Sequence, residues 1–344
     1  MGRFHLAIVC LFLCIGNKAY SESLHKDNIH QRQNVLYFVN GFDAKLYLYS
    51  DKNSEVLTEL PYGSILELNS EVEPTNKINW YSVHTSSKLS GFILSGEVLK
   101  TTKKNLFKTI SSDVLKKFSL INLKNDISAW QQITNFLFQS AENGDFTGEQ
   151  YVFFRVFSGE ALANAVDAMQ VFETSTSIDN LDSNNFNKQI DSNDFLKSYK
   201  IYLTKDTNTN QVRLDENFFW KYASLNSNSK YAEIAGRLAM EQIAEKDCNR
   251  EPICFLLSLN NREFRYLRFF PNSKSKKKLS ESINSKLKKF TKEKEQIRCF
   301  LPNKDYNYQI FNQLKFNRYY LYEREVKKFD KYYSIIQDEC FPVI

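Results

Sequence analysis

Histidine is nearly missing from this chain. Four occur in 344 residues, and none of them lies beyond His84. That scarcity excludes several chemistries from residues 85–344. A cysteine nucleophile there has no imidazole base, a Ser–His–Asp hydrolase cannot be assembled, and a histidine-bearing zinc site has no ligands. Phosphate cradles are missing too, since neither Gly-x-x-x-x-Gly-Lys-Ser/Thr nor Gly-x-Gly-x-x-Gly occurs. No Asp-x-Asp-x-Asp-Gly loop with a distal glutamate is present, so calcium is not indicated. His25 and His30 sit five apart, which on a helix turns them away from each other, so no metal site is expected there. No cofactor is implied. Long apolar runs are also missing. A mean hydropathy of −0.47 leaves no room for a bundle of membrane-spanning helices.

The apolar run that does occur, Leu6–Ile15, is too short to span a bilayer and follows the positive Arg3. Ala19-Tyr20-Ser21 places small residues at the −3 and −1 positions of a signal-peptidase site. Residues 1–21 therefore read as a signal peptide cleaved after Ser21, followed by a polar, flexible segment over 22–34. Two alternatives stay open: lipidation at Cys14, although the bulky Phe12 and Leu13 precede it, and a buried N-terminal helix. The expected address is the periplasm or the cell surface. Export leaves four cysteines, Cys248, Cys254, Cys299 and Cys340, in an oxidising compartment. Sequence-local pairing gives Cys248–Cys254 and Cys299–Cys340, with four free buried thiols as the alternative. On one helix Cys248 and Cys254 would lie about 9 Å apart along the axis. A bridge between them therefore demands a turn, which Pro252 favours.

Between Val35 and Lys100 the pattern alternates with period two and breaks at turn residues, as in a small all-β barrel. Leu46 and Leu48 fall on one face, Tyr47 and Tyr49 on the other. Pro61-Tyr62-Gly63 marks a tight turn, and Trp80–Val83 and Gly91–Leu94 read as strands, with Tyr81 and Val83 inward. The motifs Leu46-Tyr47-Leu48-Tyr49, Leu60-Pro61-Tyr62-Gly63, Asn79-Trp80-Tyr81-Ser82-Val83, Gly91-Phe92-Ile93 and Val98-Leu99 follow one another in the order seen in bacterial SH3-like (SH3b) domains. The chain resembles that family over residues 35–100. It departs where Tyr49 replaces the usual arginine and Phe92 the usual tryptophan. The resemblance implies a five-stranded barrel that holds exported proteins to peptidoglycan or to a peptide. Tyr47, Tyr49 and Trp80 would share an outer face, either as a stacking groove for a sugar or peptide or as a seam to the following helices.

After a polar hinge at Thr101–Lys104 the period changes to three or four, and residues 105–344 read as a helical domain. Ile127, Trp130, Ile133 and Leu137 share one helix face. Val152, Val156, Gly159, Ala163, Val166 and Met169 form a stripe whose small members suggest close helix packing. Glu149 and Glu160 share a face about 16 Å apart, too far for a glycosidase pair, and read as solvated. Residues 173–194, rich in Asn, Ser and Asp, read as a loop. Trp220-Lys221-Tyr222…Asn228-Ser229-Lys230 is echoed by Phe264-Arg265-Tyr266…Asn272-Ser273-Lys274, suggesting repeat-like helical hairpins over 217–290, similar to the tetratricopeptide type. Nine lysines between Lys274 and Lys294 line an amphipathic helix with a solvated face, so nucleic acid is not expected. A single C-terminal helix is expected over 314–340.

The expected fold class is multidomain α+β, a small SH3-like barrel before a mainly α-helical domain. The expected function is a non-enzymatic, exported binding or scaffold protein of the cell envelope. Two alternatives are a carboxylate-type wall glycosidase with an SH3b targeting arm, and a structural protein without a ligand.

Overall fold

The computed structural model describes residues 35–69, 79–120, 125–176, 186–206, 211–225, 228–243, 248, 250–292, 297, 299 and 304–341. The signal peptide, Cys14 and the His25–His30 pair lie outside the described residues. The chain is mixed α and β and divides into two compact units, residues 1–136 and 137–344.

In the first unit seven strands form one antiparallel sheet: β1 (Val35–Val39), β2 (Ala44–Tyr47), β3 (Val56–Leu60), β4 (Ile65–Leu68), β5 (Trp80–His84), β6 (Ser90–Leu94) and β7 (Val98–Thr102). Their spatial order is β3-β2-β6-β5-β4-β1-β7. Alternation sends Tyr37, Val39, Leu46, Leu66, Val83 and Ile93 into one buried cluster. Tyr81 packs partly buried against it, as the period-two reading expects. The alternation fails at one place. A register shift between Leu46 and Tyr47 leaves Leu46 buried and Leu48 exposed, although sequence parity puts them on one face. Thr101 and Thr102 are not a hinge. They pair with Leu36 and Val35 at the end of β7.

Two helices accompany this sheet, α1 (Leu106–Phe118) and the first part of α2 (Ile127–Glu142). Tyr62, in the Pro-Tyr-Gly turn, joins both. Its hydroxyl donates to Asp113 Oδ2 at 2.9 Å, and its backbone N–H donates to Gln132 Oε1 at 3.1 Å. Gln132 in turn donates to the Phe42 carbonyl at 3.1 Å. The Tyr62 ring meets Phe38 and Phe136 edge-on at 5.5 and 5.6 Å.

The second unit is built on α3 (Gly148–Thr176). Its buried residues surround the helix axis instead of forming one stripe, which marks a helix enclosed by its neighbours. Helix α3 runs to Thr176, and α4 (Phe186–Asp191) is helical, so both ends of the expected 173–194 loop are ordered elements. Residues 177–185 lie outside the described residues. After α5 (Asp194–Ser198), a two-stranded ribbon, β8 (Leu203–Lys205) and β9 (Val212–Leu214), precedes the hairpin of α6 (Glu216–Leu225) and α7 (Lys230–Gln242). That hairpin packs on α3.

The echo of this hairpin takes a different form. Helix α8 (Pro252–Leu259) passes through a π-helical turn, Asn260–Phe264, into α9 (Arg265–Phe269). The next helix, α10 (Lys276–Thr291), packs most extensively on the C-terminal helix, not on its sequence neighbour. The single helix expected over 314–340 is two helices, α11 (Lys304–Lys315) and α12 (Glu323–Cys340), separated by a 3-10 turn and an extended Leu321-Tyr322 pair. Tertiary hydrogen bonds account for the break. Buried Asn317 bonds Asn260 and Arg268, and the Tyr322 N–H donates to Ser280 Oγ at 2.9 Å. Disulfides join Cys248, ahead of α8, to Cys254 in the first turn of α8, and Cys299 to Cys340, at the end of α12.

Candidate binding face

The face of the sheet opposite its buried cluster carries Tyr47, Phe92 and Trp80. Register places Tyr47 opposite Phe92, Phe92 opposite Ser82, and Trp80 opposite Leu94. Directly paired residues share a face, so Tyr47, Phe92, Trp80 and Leu94 form a half-buried apolar strip across β2, β6 and β5. Val56, opposite Tyr47 and 41% exposed, extends it to β3. The Tyr47 and Trp80 rings meet edge to face, with centroids 5.3 Å apart and an interplanar angle of 89°. Gly91 makes this arrangement possible. A Cβ there would stand 2.7 Å from the Tyr47 carbonyl oxygen, so only glycine lets β6 approach β2 so closely.

Tyr49 does not join the other two. It lies beyond the register shift, in the turn before β3, with its N–H bonded to Ser54 Oγ at 3.0 Å. Tyr49 is 65% exposed, and its ring pairs with neither Tyr47 nor Trp80, which pair with each other. The strip gains Phe92, Leu94 and Val56 instead. Cross-strand register selects these three, and no pattern within a single strand announces it.

A second concave surface lies on the helix side of the same unit, an open cleft of about 690 Å³. Lys100, Lys108 and Lys116 line it together with the hydroxyls of Thr101, Thr102, Thr109 and Ser112. Thr101 Oγ1 and Thr109 Oγ1 share a hydrogen bond of 2.8 Å. Asp113 also lines this cleft. Burial raises its carboxyl from the ordinary aspartate value, opposed by the Tyr62 hydrogen bond and by Lys117. None of these residues stands out in the sequence, because their types are ordinary for strand and helix surfaces alike.

Among the described residues, no group of three or more His, Cys, Asp or Glu is placed to hold a metal ion. His84 ends β5, half-buried, with its Nδ1 3.4 Å from Ser90 Oγ. Neither glutamate read as solvated is simply solvated. Glu149 accepts from Ser229 Oγ at 3.2 Å. Burial pushes the Glu160 carboxyl up to about 7, opposed by Arg237 and reinforced by Glu241. The packing around α3 supplies this burial, and sequence spacing could not show it.

The chain was compared with family models, curated proteins and solved structures, and none of them matches it. Among the described residues, no helix is long and apolar enough to cross a membrane.

Proposed function

We propose that the protein is an exported, non-enzymatic adaptor of the cell envelope. In this reading the β unit is an SH3-like module that docks to peptidoglycan or to a peptide of an envelope protein. The helical unit is a scaffold stapled by two disulfides. The observation that carries the proposal is the Tyr47–Trp80 pair, an edge-to-face aromatic couple on the sheet face away from its buried cluster. Such a couple presents ring faces on which a sugar or peptide can stack. The ordered SH3b-like motifs, the signal-like N-terminus and the bonded cysteines support the same reading. The scarcity of histidine argues against the hydrolases that commonly accompany such modules.

Co-sedimentation of the processed protein with purified peptidoglycan tests the wall-binding form. Trp80→Ala should weaken retention about tenfold, the loss of one aromatic contact. Retention equal to wild type would remove the strip from the binding site.

One observation favours a second reading, a carboxylate-type glycosidase. Glu160, at about 7, has the protonation behaviour of a general acid. Zymography on cell-wall substrate separates the two readings: clearing lost in Glu160→Gln supports the enzyme, and no clearing between pH 5 and 8 disposes of it.

A further inference from the structure

Strand β7 stands at one edge of the seven-stranded sheet, and among the described residues it pairs with β1 alone. Which of its main-chain groups face outward follows from β1. The Val39 N–H donates to the Ser64 carbonyl and the Val39 carbonyl accepts from the Gly63 N–H, both at 2.9 Å and both on the β4 side. The next residue turns the other way, since the Asn40 N–H donates to the Glu97 carbonyl at 3.0 Å, on the β7 side. The same alternation turns the main-chain groups of Leu36 and Phe38 toward their register partners Thr101 and Leu99. Lys100 lies between those two partners. Its N–H and C=O therefore point away from the sheet, along an unpaired edge.

This edge forms one wall of the cleft of about 690 Å³, which four consecutive residues of β7, Leu99 to Thr102, line. Four such residues span about 10 Å, the length of a short paired strand. The other wall is one face of α1, where Lys108, Thr109, Ser112 and Lys116 follow helical spacing. The Thr101–Thr109 hydroxyl bond holds that wall against the strand. Lys100, Lys108 and Lys116 are exposed, and among the described residues none of the three enters an ion pair. The acid in the lining, Asp113, is 5% exposed and bound to the Tyr62 hydroxyl. Its main cation is Lys117, which does not line the cleft, with Lys116 a smaller contributor. The cleft thus combines free main-chain groups with an excess of positive charge.

We propose that the β7 edge binds an extended acidic segment of a partner protein, which adds to the sheet as a further strand with carboxylates at alternate positions toward α1. Main-chain bonds at Lys100 supply affinity, and the three lysines supply the choice of partner. A lysine on an open edge disfavours pairing with a second copy of the same edge, because Lys100 would approach its own duplicate. It leaves a strand of opposite charge as the matched occupant. The aromatic strip lies on β2, β5 and β6, so the proposal does not depend on the reading given to that strip.

Fluorescence anisotropy with the full chain tests it on a short labelled peptide that alternates threonine and glutamate. Three probes are compared with it: the threonine–lysine counterpart, the acidic peptide N-methylated throughout, and inorganic polyphosphate as an unlabelled competitor. The acidic peptide should bind about tenfold or more tightly than each of the three. Lys108 is exposed on α1, so Lys108→Glu should keep the far-ultraviolet circular dichroism of the wild type and weaken the acidic peptide about fivefold or more. Hydrogen exchange of the Lys100 amide, read by nuclear magnetic resonance, should slow about tenfold or more in saturating acidic peptide, a change that charge attraction alone does not produce. The proposal fails if the acidic peptide does not bind at millimolar concentration. It fails equally if the basic peptide, the methylated peptide or polyphosphate binds as tightly, if Lys108→Glu leaves the affinity unchanged, or if the Lys100 amide gains no protection.

Discussion

Burial gives Glu160 a pH signature inside the range where stability is measured. Its folded pKa, about 7, lies above the ordinary 4.5, so the folded state holds the proton more tightly than the unfolded one. Ionised Glu160 therefore subtracts from stability. The loss is absent below the unfolded value near 4.5, grows through the window, and is complete above 7. Glu160→Gln keeps the shape and removes the ionisation. Urea unfolding should find the variant more stable by about 2–3 kcal/mol at pH 8 and equal to wild type at pH 4. Residues of this kind explain why the candidate site was only partly legible. Tyr47 and Trp80 are placed by parity within their strands, and parity is visible in sequence. Tyr49 is displaced by an irregular register at Leu46–Tyr47, which no composition signal marks. Glu160 looks like any surface glutamate until the helices around α3 enclose it.

At the scale of elements, two contacts decide how the sheet and the central helix are built. The Pro61-Tyr62-Gly63 turn was legible as a turn, but its role as a tie to α1 and α2 was not, because Asp113 and Gln132 lie 51 and 70 residues away from Tyr62. Tyr62→Phe keeps the ring packing and strips the hydrogen bond from a buried carboxylate. It should cost about 1–3 kcal/mol at pH 7. The hydrogen bond lowers the Asp113 pKa and acts on the ionised form, so the cost should shrink at pH 3, where the carboxyl is protonated. Chemical denaturation at both values checks this. A cost that grew in acid would contradict the assignment. In α3 the small-residue stripe does mark close packing. A Cβ on Gly159 would stand 2.3 Å from the Phe218 ring. Alanine gains about 1 kcal/mol in helix propensity there, yet Gly159→Ala should destabilise by about 1–3 kcal/mol, because the ring of α6 has to move. Thermal melts read the sign directly. The break between α11 and α12 stayed hidden for the opposite reason. Residues 316–322 contain neither glycine nor proline, and the hydrogen bonds of Asn317 and Tyr322 override a helical pattern.

For the whole molecule, the order of parts is legible because the hydrophobic period changes from two to between three and four. Where the compact units divide is a tertiary property. Residues 105–136 are helical by pattern yet cluster with the sheet, since the turn at Tyr62 anchors them. The second unit ends in α12, whose Phe329, Tyr333 and Ile336 are buried and whose Asn284–Glu325 bonds tie it to α10 at 2.9 Å. The Cys299–Cys340 bridge closes a loop of 41 residues around this helix. By chain entropy such a loop stabilises by roughly 4 kcal/mol, more than the roughly 2 expected of the six-residue loop at Cys248. Replacing both Cys299 and Cys340 by serine should therefore cost the larger amount and act locally. Hydrogen exchange should quicken in peptides from 304–340 and stay at wild-type rates in the sheet over 35–102. Uniform acceleration along the whole chain would mean that the two units unfold as one, and unchanged exchange in α12 would mean that side-chain packing alone retains the helix.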